Sequence, residues 1–268
     1  MEIMENKQTL DHTFVVCAYK ESPYLEACVD SLLAQTARSR ILIATSTDNE
    51  HIRRIAGSRG LEVFFSARPS DIAGDWNYAY TRAGTRYVTI AHQDDIYEPD
   101  YALTAVSMME NRMKPLLFFS DYYELRDQEK VYQNLNLRIK KLLMLPARIP
   151  FLSGKKACKR AMLSVGNPIC CPSVTYAREN LPRALFRKGM KSNIDWQAWT
   201  AAADMDGDFV YCPRPLMAHR IHEQSTTTEI IGSSARTLED LYMLEQFWPS
   251  PVAKLINRLY RQAERSNG

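Results

Sequence analysis

The sequence predicts an α/β fold, a mostly parallel sheet flanked by helices and closed by a helical extension over residues 233–268. Three observations predict it. Across the first 120 residues, short and nearly continuous apolar runs alternate with amphipathic stretches. Unusual polar residues gather at the ends of those runs, which is where ligands bind in an open α/β sheet. The chain has 268 residues, 46% hydrophobic and 24% charged, ordinary proportions for a globular protein long enough to bury one large sheet.

Thr13–Ala18, Ile41–Ala44, Leu61–Phe65, Tyr87–Ala91 and Leu116–Ser120 are short and partly β-branched, as strands buried on both faces tend to be. Between them Pro23–Gln35, Asp48–Arg59, Asp71–Ala83 and Pro99–Asn111 carry apolar residues at helical spacing; in the first these are Leu25, Cys28, Val29, Leu32 and Leu33. Repeated strand–helix–strand units imply right-handed crossovers and parallel pairing. After Asp121 the rhythm breaks. Asn134–Leu145 and Lys155–Leu163 read as basic helices, Cys170–Tyr176 as a strand and Ile194–Ala203 as a helix. Phe209–Tyr211 and Leu216–Ile221 read as two short strands added antiparallel to the sheet. Ala235–Phe247 and Val252–Glu264 read as closing helices divided by Pro249 and Pro251.

A net charge of +3 gives no global basic field, so a nucleic-acid partner is not expected. Met1–Asp11 lacks the apolar core of a secretory signal, and no window is apolar enough to span a bilayer. The expected location is the cytoplasm, or peripherally the inner face of a membrane. Cys17, Cys28, Cys158, Cys170, Cys171 and Cys212 form no CxxC pair and suggest buried thiols.

The polar residues after the predicted strands are Tyr19, Lys20, Glu21 and Ser22, then Thr45–Asn49, then His92, Gln93, Asp94 and Asp95, and Asp121. Adjacent carboxylates at a strand end raise each other's pKa unless a cation lies nearby, and carboxylate oxygens suit Mg²⁺ or Mn²⁺. A cap for the helix starting near Pro99 explains one of the two carboxylates. Both readings stand on spacing alone.

The segment Tyr87–Asp100, containing His92-Gln93-Asp94-Asp95, resembles the metal-binding segment of family 2 glycosyltransferases. Phe14–Ser22 resembles that family's first strand and nucleotide loop, Cys28–Thr36 the following helix, and Ile72–Ala79 the segment before the metal strand. Asn193–Trp199 resembles the segment with the catalytic carboxylate. His219–His222, with Ser225 and Thr226, resembles the loop that closes over the diphosphate. The matches keep family order over residues 13–228.

The resemblance implies a GT-A fold, Rossmann-like, over residues 1–232, with the helical extension packed on the same domain. It implies Asp195 as catalytic base and Asp95 with His222 as metal ligands. It implies Ala18, Tyr19, Glu21, Asp48, Asp75, Asn77 and Asp94 as nucleotide-binding residues, and Arg220 at the diphosphate. Asp48 and Asp195 also have a plainer reading as helix caps. Trp76, Trp196 and Trp199 suit either a sugar platform or the core. Two positions depart from the pattern: His92 where the family often has Asp, and Lys20 where it often has Asn.

The implied activity is an inverting transfer from a nucleotide-diphospho-sugar to a hydroxyl of a glycan or lipid-linked acceptor, with Mn²⁺ or Mg²⁺. A nucleotidyltransferase would carry a glycine-rich loop after its first strand, and Ala18–Ser22 has no glycine. A non-catalytic nucleotide-sugar-binding or membrane-docking protein on the same fold is the alternative. Arg126–Arg160 mixes ten Lys and Arg residues with leucines, the composition of an interfacial helix on an anionic membrane surface.

Overall fold

The computed structural model describes residues 7–67, 70–222 and 234–266. Ser225 and Thr226 lie outside the described residues. The first half alternates as the periodicity predicts: β1 (Thr9–Ala18), α1 (Leu25–Leu33), β2 (Arg38–Thr45), α2 (Glu50–Ser58), β3 (Glu62–Phe65), α3 (Ile72–Arg82), β4 (Tyr87–His92), β5 (Ile96–Tyr97), α4 (Tyr101–Glu110) and β6 (Pro115–Arg126). Then come β7 (Glu129–Val131), α5 (Leu135–Met144), α6 (Pro150–Ser153), α7 (Lys156–Leu163), β8 (Val174–Ala177), α8 (Ile194–Ala203), β9 (Asp208–Ile221), α9 (Ser234–Glu245) and α10 (Ser250–Ser266).

The sheet order is β3-β2-β1-β4-β8-β6-β9-β5, with β7 paired to β6. β1, β2, β3 and β4 pair in parallel, and β6 pairs in parallel with β9. β8 is wedged antiparallel between β4 and β6. Residue alternation explains the continuous apolar runs. Phe14, Val16 and Ala18 join the core on one face, whereas Val15 and Leu42 join the core on the other. Helices α1, α2 and α4 cover the first face. Helices α3, α7 and α8 cover the second, with Met243, Leu244 and Ala253 from α9 and α10 in the same core as Trp199.

The sequence reading needs correction in the second half. Phe209–Tyr211 and Leu216–Ile221 are one strand, β9, parallel to β6 and antiparallel only to the short β5. The register jumps from Ser120↔Cys212 to Asp121↔Pro215, so Pro213 and Arg214 bulge out between two paired halves. A bulge is how a strand tolerates prolines that cannot donate to the ladder, and those prolines made one strand look like two. Asp121 does not follow β6 but lies within it, buried, accepting a 2.5 Å hydrogen bond from the Tyr211 hydroxyl. Cys170–Tyr176 divides into a 3₁₀ turn, Cys171–Ser173, and β8. The β6–β7 hairpin closes through Asp127 and Gln128, both at positive φ, a primed turn without the usual glycine.

A chain of polar groups, buried from His12 onward, crosses the sheet. Ser39 Oγ meets His12 Nδ1 at 2.8 Å, His12 Nε2 meets Thr89 Oγ1 at 2.9 Å, and Thr89 meets Thr175 at 2.7 Å. The Tyr101 hydroxyl ends the chain, 3.1 Å from Thr175 Oγ1 and donating to the Ser173 carbonyl at 3.0 Å. It joins β2, β1, β4 and β8 through side chains, and every member finds a partner, as buried polar atoms must.

Candidate active site

The site forms where β1, β2 and β4 end and β9 passes alongside. The turn after β1 is fixed from two sides. Tyr19 N–H donates to Gln93 Oε1 at 2.9 Å, and Gln93 Nε2 donates back to the Tyr19 carbonyl at 3.1 Å. Lys20 has φ of 54°, a left-handed backbone that favours Gly or Asn, which explains why Asn is at home here and Lys is not. Two hydrogen bonds hold the strained residue: Lys20 N–H to Thr47 Oγ1 at 2.6 Å and Asn49 Nδ2 to the Lys20 carbonyl at 3.0 Å. Ala18 is the buried last residue of β1, and the Tyr19 ring and Glu21 are exposed beyond it.

Asp94 and Asp95 cap nothing. Helix α4 starts at Tyr101, behind Asp100. Asp94 accepts from Ser22 Oγ at 2.6 Å, and its Oδ2 lies 3.5 Å from His222 Nε2. Asp95 is 1% exposed. Its Oδ1 receives the Arg220 N–H at 2.9 Å and lies 3.1 Å from His219 Nδ1, while Oδ2 is buried with no hydrogen-bond partner. Burial opposes charging of His219, but the Asp95 carboxylate outweighs it and raises the imidazole above its ordinary range. The Arg220 guanidinium donates through Nε to the Asp94 carbonyl at 2.9 Å and stacks 4.3 Å over the Tyr24 ring. β9 therefore clamps the Asp94–Asp95 turn, and His222, Tyr24 and Ser22 close around it.

His92 is stacked on Trp76, rings 5.2 Å apart, and burial lowers its pKa, so the neutral imidazole prevails. Its Nε2 is buried without a hydrogen-bond partner. Trp196 and Trp199 are core residues, 3% and 0% exposed.

Asp195 sits in the first turn of α8, behind Asn193 as cap residue. Oδ1 accepts from the Trp196 N–H at 2.7 Å, and Oδ2 accepts from Asn167 Nδ2 at 2.8 Å. Burial pushes its carboxyl up to about 6, against the pull of those donors and of the Lys140 ammonium. Burial raises the thiols of Cys170 and Cys171.

Other predicted residues are placed differently. Asp48 is exposed and engaged by Arg53, Nε at 2.6 Å, which holds its carboxyl below the usual range; the cap of α2 is Asn49. Both amide atoms of Asn77 grip the backbone of Phe186, at 2.6 and 3.1 Å. Asp75 is half-buried, its Oδ2 accepting from Ser46 Oγ at 2.9 Å, and burial raises its pKa. Glu239 of α9 was not among the predicted residues. It accepts from Lys191 N–H at 2.7 Å, Ser192 N–H at 2.8 Å, Ser192 Oγ at 2.7 Å and Asn193 N–H at 3.1 Å, and these donors keep its pKa low despite burial. Asn193 Nδ2 also donates to Asp240 at 2.7 Å. No motif marks Glu239; its role exists only once α9 lies across the start of α8.

Residues 13–163, more than half of the chain, match the description of glycosyl transferase family 2. This chain belongs to that family. The structural likeness to solved proteins extends past the matched region. The S. aureus TarS 1–349 structure in complex with UDP-GlcNAc superposes with a TM-score of 0.62 at 12% identity, covering 92% of this chain and 70% of that one. Of the longer S. aureus TarS structure the chain spans 45%. Mannosyltransferase PcManGT from Pyrobaculum calidifontis, in complex with GDP-Man and Mn²⁺, gives 0.64 at 14% identity over 94% and 69%. Glucosyl-3-phosphoglycerate synthase from Mycobacterium tuberculosis, with Mn²⁺ and UDP-glucose, gives 0.57 at 16% over 90% and 80%. A comparison with curated proteins finds no match. At these identities the likeness shows the fold: a GT-A type sheet with flanking helices.

Among the described residues no three His, Cys, Asp or Glu side chains gather as a metal cage. A family 2 metal site does not require one, because Mg²⁺ keeps one or two carboxylates together with phosphate oxygens and water. The partnerless Asp95 Oδ2 is a donor of the right chemistry.

Proposed function

We propose that this chain is an inverting glycosyltransferase that moves a hexosyl group from a nucleotide-diphospho-sugar to a hydroxyl of a glycan or lipid-linked acceptor. The observation that carries the reading is Asp195, a half-enclosed carboxylate oriented by Asn167 and the start of α8. Solved structures of the same fold bind UDP-GlcNAc, GDP-Man and UDP-glucose, which supports a donor of that class.

The acceptor oxygen forms its bond to the anomeric carbon as its proton passes to the Asp195 carboxylate. The bond from the anomeric carbon to the diphosphate oxygen breaks, and its electron pair leaves with the nucleoside diphosphate. Asp195 keeps lone pairs free on both oxygens, because Trp196 N–H and Asn167 each occupy one. Gln93 and Thr47 hold the Tyr19–Lys20 turn for the nucleotide, and Arg220 stands beside Asp94 on the diphosphate side. Asp95, through Oδ2, and His222 would hold Mn²⁺ or Mg²⁺, which when bound neutralises charge on the departing diphosphate. One observation favours the rival, a non-catalytic sugar-nucleotide-binding protein: neutral, stacked His92 stands where the family often has a carboxylate.

The deciding experiment is release of nucleoside diphosphate. The donor is first chosen by thermal shift with UDP, GDP, dTDP and CMP plus Mn²⁺, since a ligand that binds only the folded state raises its stability. A transferase releases the diphosphate, and Asp195→Asn slows the release by roughly 10²–10⁴-fold without loss of donor binding. A binding protein binds and releases none.

A further inference from the structure

Helix α5 is apolar on two sides. Its inner stripe is ordinary: Leu137 and Met144 are buried, and Lys140 Nζ donates to the Tyr122 hydroxyl at 2.9 Å. Its outer stripe, Leu135, Ile139 and Leu142, repeats at i, i+4 and i+7 and faces solvent, with Leu142 65% exposed. A surface helix normally presents polar residues there. Past the end of α5, Ile149 and Phe151 are exposed as well, Phe151 by 74%, and its ring carries the Lys155 ammonium at 4.6 Å. From Lys130 to Arg178 the sequence has no Asp or Glu and ten Lys or Arg residues, in a chain with 31 acidic residues. Arg138, Arg148 and Lys155 are exposed in the same stretch of chain. Arg138 and Lys141 also line an open cleft of about 230 Å³ with Tyr132 and Gln133.

We infer that this ridge docks on an anionic lipid bilayer, with Leu135, Ile139, Leu142 and Phe151 entering the headgroup boundary and the basic cleft taking a phosphate headgroup. Charge selects this occupant. An isologous contact between two copies would set the same cations against themselves, whereas an anionic bilayer offers both an apolar phase and the opposite charge. No helix among the described residues is long and apolar enough to cross a membrane, so the contact is peripheral. Lys140, on the inner side of the same helix, lies within electrostatic reach of Asp195, and Lys141 Nζ is 3.5 Å from Asp121. The Lys141–Asp121 pair ties the docking helix to β6. The docking does not depend on the transferase reading.

The test is flotation with vesicles, without donor, acceptor or metal. One set is phosphatidylcholine alone; the other contains a minor share of phosphatidylglycerol. The wild type floats with the anionic set, stays behind with the neutral set, and is released by high salt. Arg148→Gln and Lys155→Gln each lower partitioning by about fivefold. Leu142→Glu with Phe151→Glu lowers it at least about tenfold. These side chains are exposed, so melting temperatures hold; Ile139→Ser serves as a milder second variant. Equal partitioning onto both sets, or binding indifferent to all these changes, overturns the inference. So does a wild type that does not float but elutes as a dimer that Leu142→Glu dissociates. A protein that floats and yet never releases nucleoside diphosphate overturns the transferase reading instead.

Discussion

Asp195 combines two properties that a helix cap does not need: burial that lifts its carboxyl to about 6, and a side-chain donor, Asn167, that fixes its plane. Asp195→Asn keeps the shape and the acceptor for the Trp196 N–H but sets its N–H₂ against Asn167, so the fold survives with a small loss of melting temperature and donor Kd stays at the wild-type value while kcat falls roughly 10²–10⁴-fold. A wild-type kcat in the folded variant would move the base elsewhere. The same carboxyl sets the acid limb of the rate. A base works ionised, so kcat holds above about 6 and declines tenfold per pH unit below it; a profile flat down to about pH 4.5 would assign that proton to another group. Asp95 makes a separate prediction, because its Oδ2 has no protein partner. Asp95→Asn leaves the Arg220 N–H acceptor in place, so the fold survives, whereas the gain in nucleotide affinity on adding Mn²⁺ is lost by isothermal titration. Wild-type affinity that ignores chelator would refute the metal role.

At the scale of elements, the start of α8 is held from outside. Glu239 spans three backbone N–H groups and the Ser192 hydroxyl, an anion grip on the loop that aims Asp195. Glu239→Gln turns an amide N–H₂ toward those donors. It costs about 2 kcal/mol of stability, and kcat falls about tenfold with donor Kd unchanged, a misaligned base being slow rather than weakly supplied. A rate unchanged after the stability loss is confirmed would make Glu239 purely structural. This contact also marks where the sequence stops being legible. The strands β1, β2 and β4 and their helices were readable because each signals itself in a window of a few residues, through apolar runs and helical spacing. The Asp94–Asp95 turn was readable because adjacent carboxylates at a strand end are unusual. Asn77 read as a ligand-binding residue because its type and position fit, but its amide is consumed by Phe186, more than a hundred residues away in the chain. Glu239 and Lys140 owe their surroundings to tertiary docking, and nothing in their neighbours announces it. β9 was misread because Pro213 and Pro215 speak locally for a break that the bulge absorbs.

At the scale of the whole molecule, the polar chain through His12 joins four strands inside an apolar sheet. Burial pushes the His12 imidazole down to about 3, so the fold holds it neutral. The unfolded chain takes up a proton near its ordinary value of about 6.5, and the fold does not follow until about 3. Stability from this group is therefore complete above about 6.5 and declines as pH falls through the window between, by about 2 kcal/mol at about pH 5. Urea midpoints of wild type and His12→Asn, measured from about pH 7.5 to about pH 5, should converge by that amount as the solution is acidified; a constant gap would assign the acid sensitivity elsewhere. The sheet also has a built-in timetable. β8, synthesised after β6, must wedge between β4 and β6, and the anchor of the base, Glu239, comes later still. At about 5–20 residues per second, the nucleotide half of the site leaves the ribosome several seconds before the residue that aims Asp195. On the proposed reading, a nascent chain thus presents the strands that would hold a sugar nucleotide before it can form the contact that aims the base which would spend it.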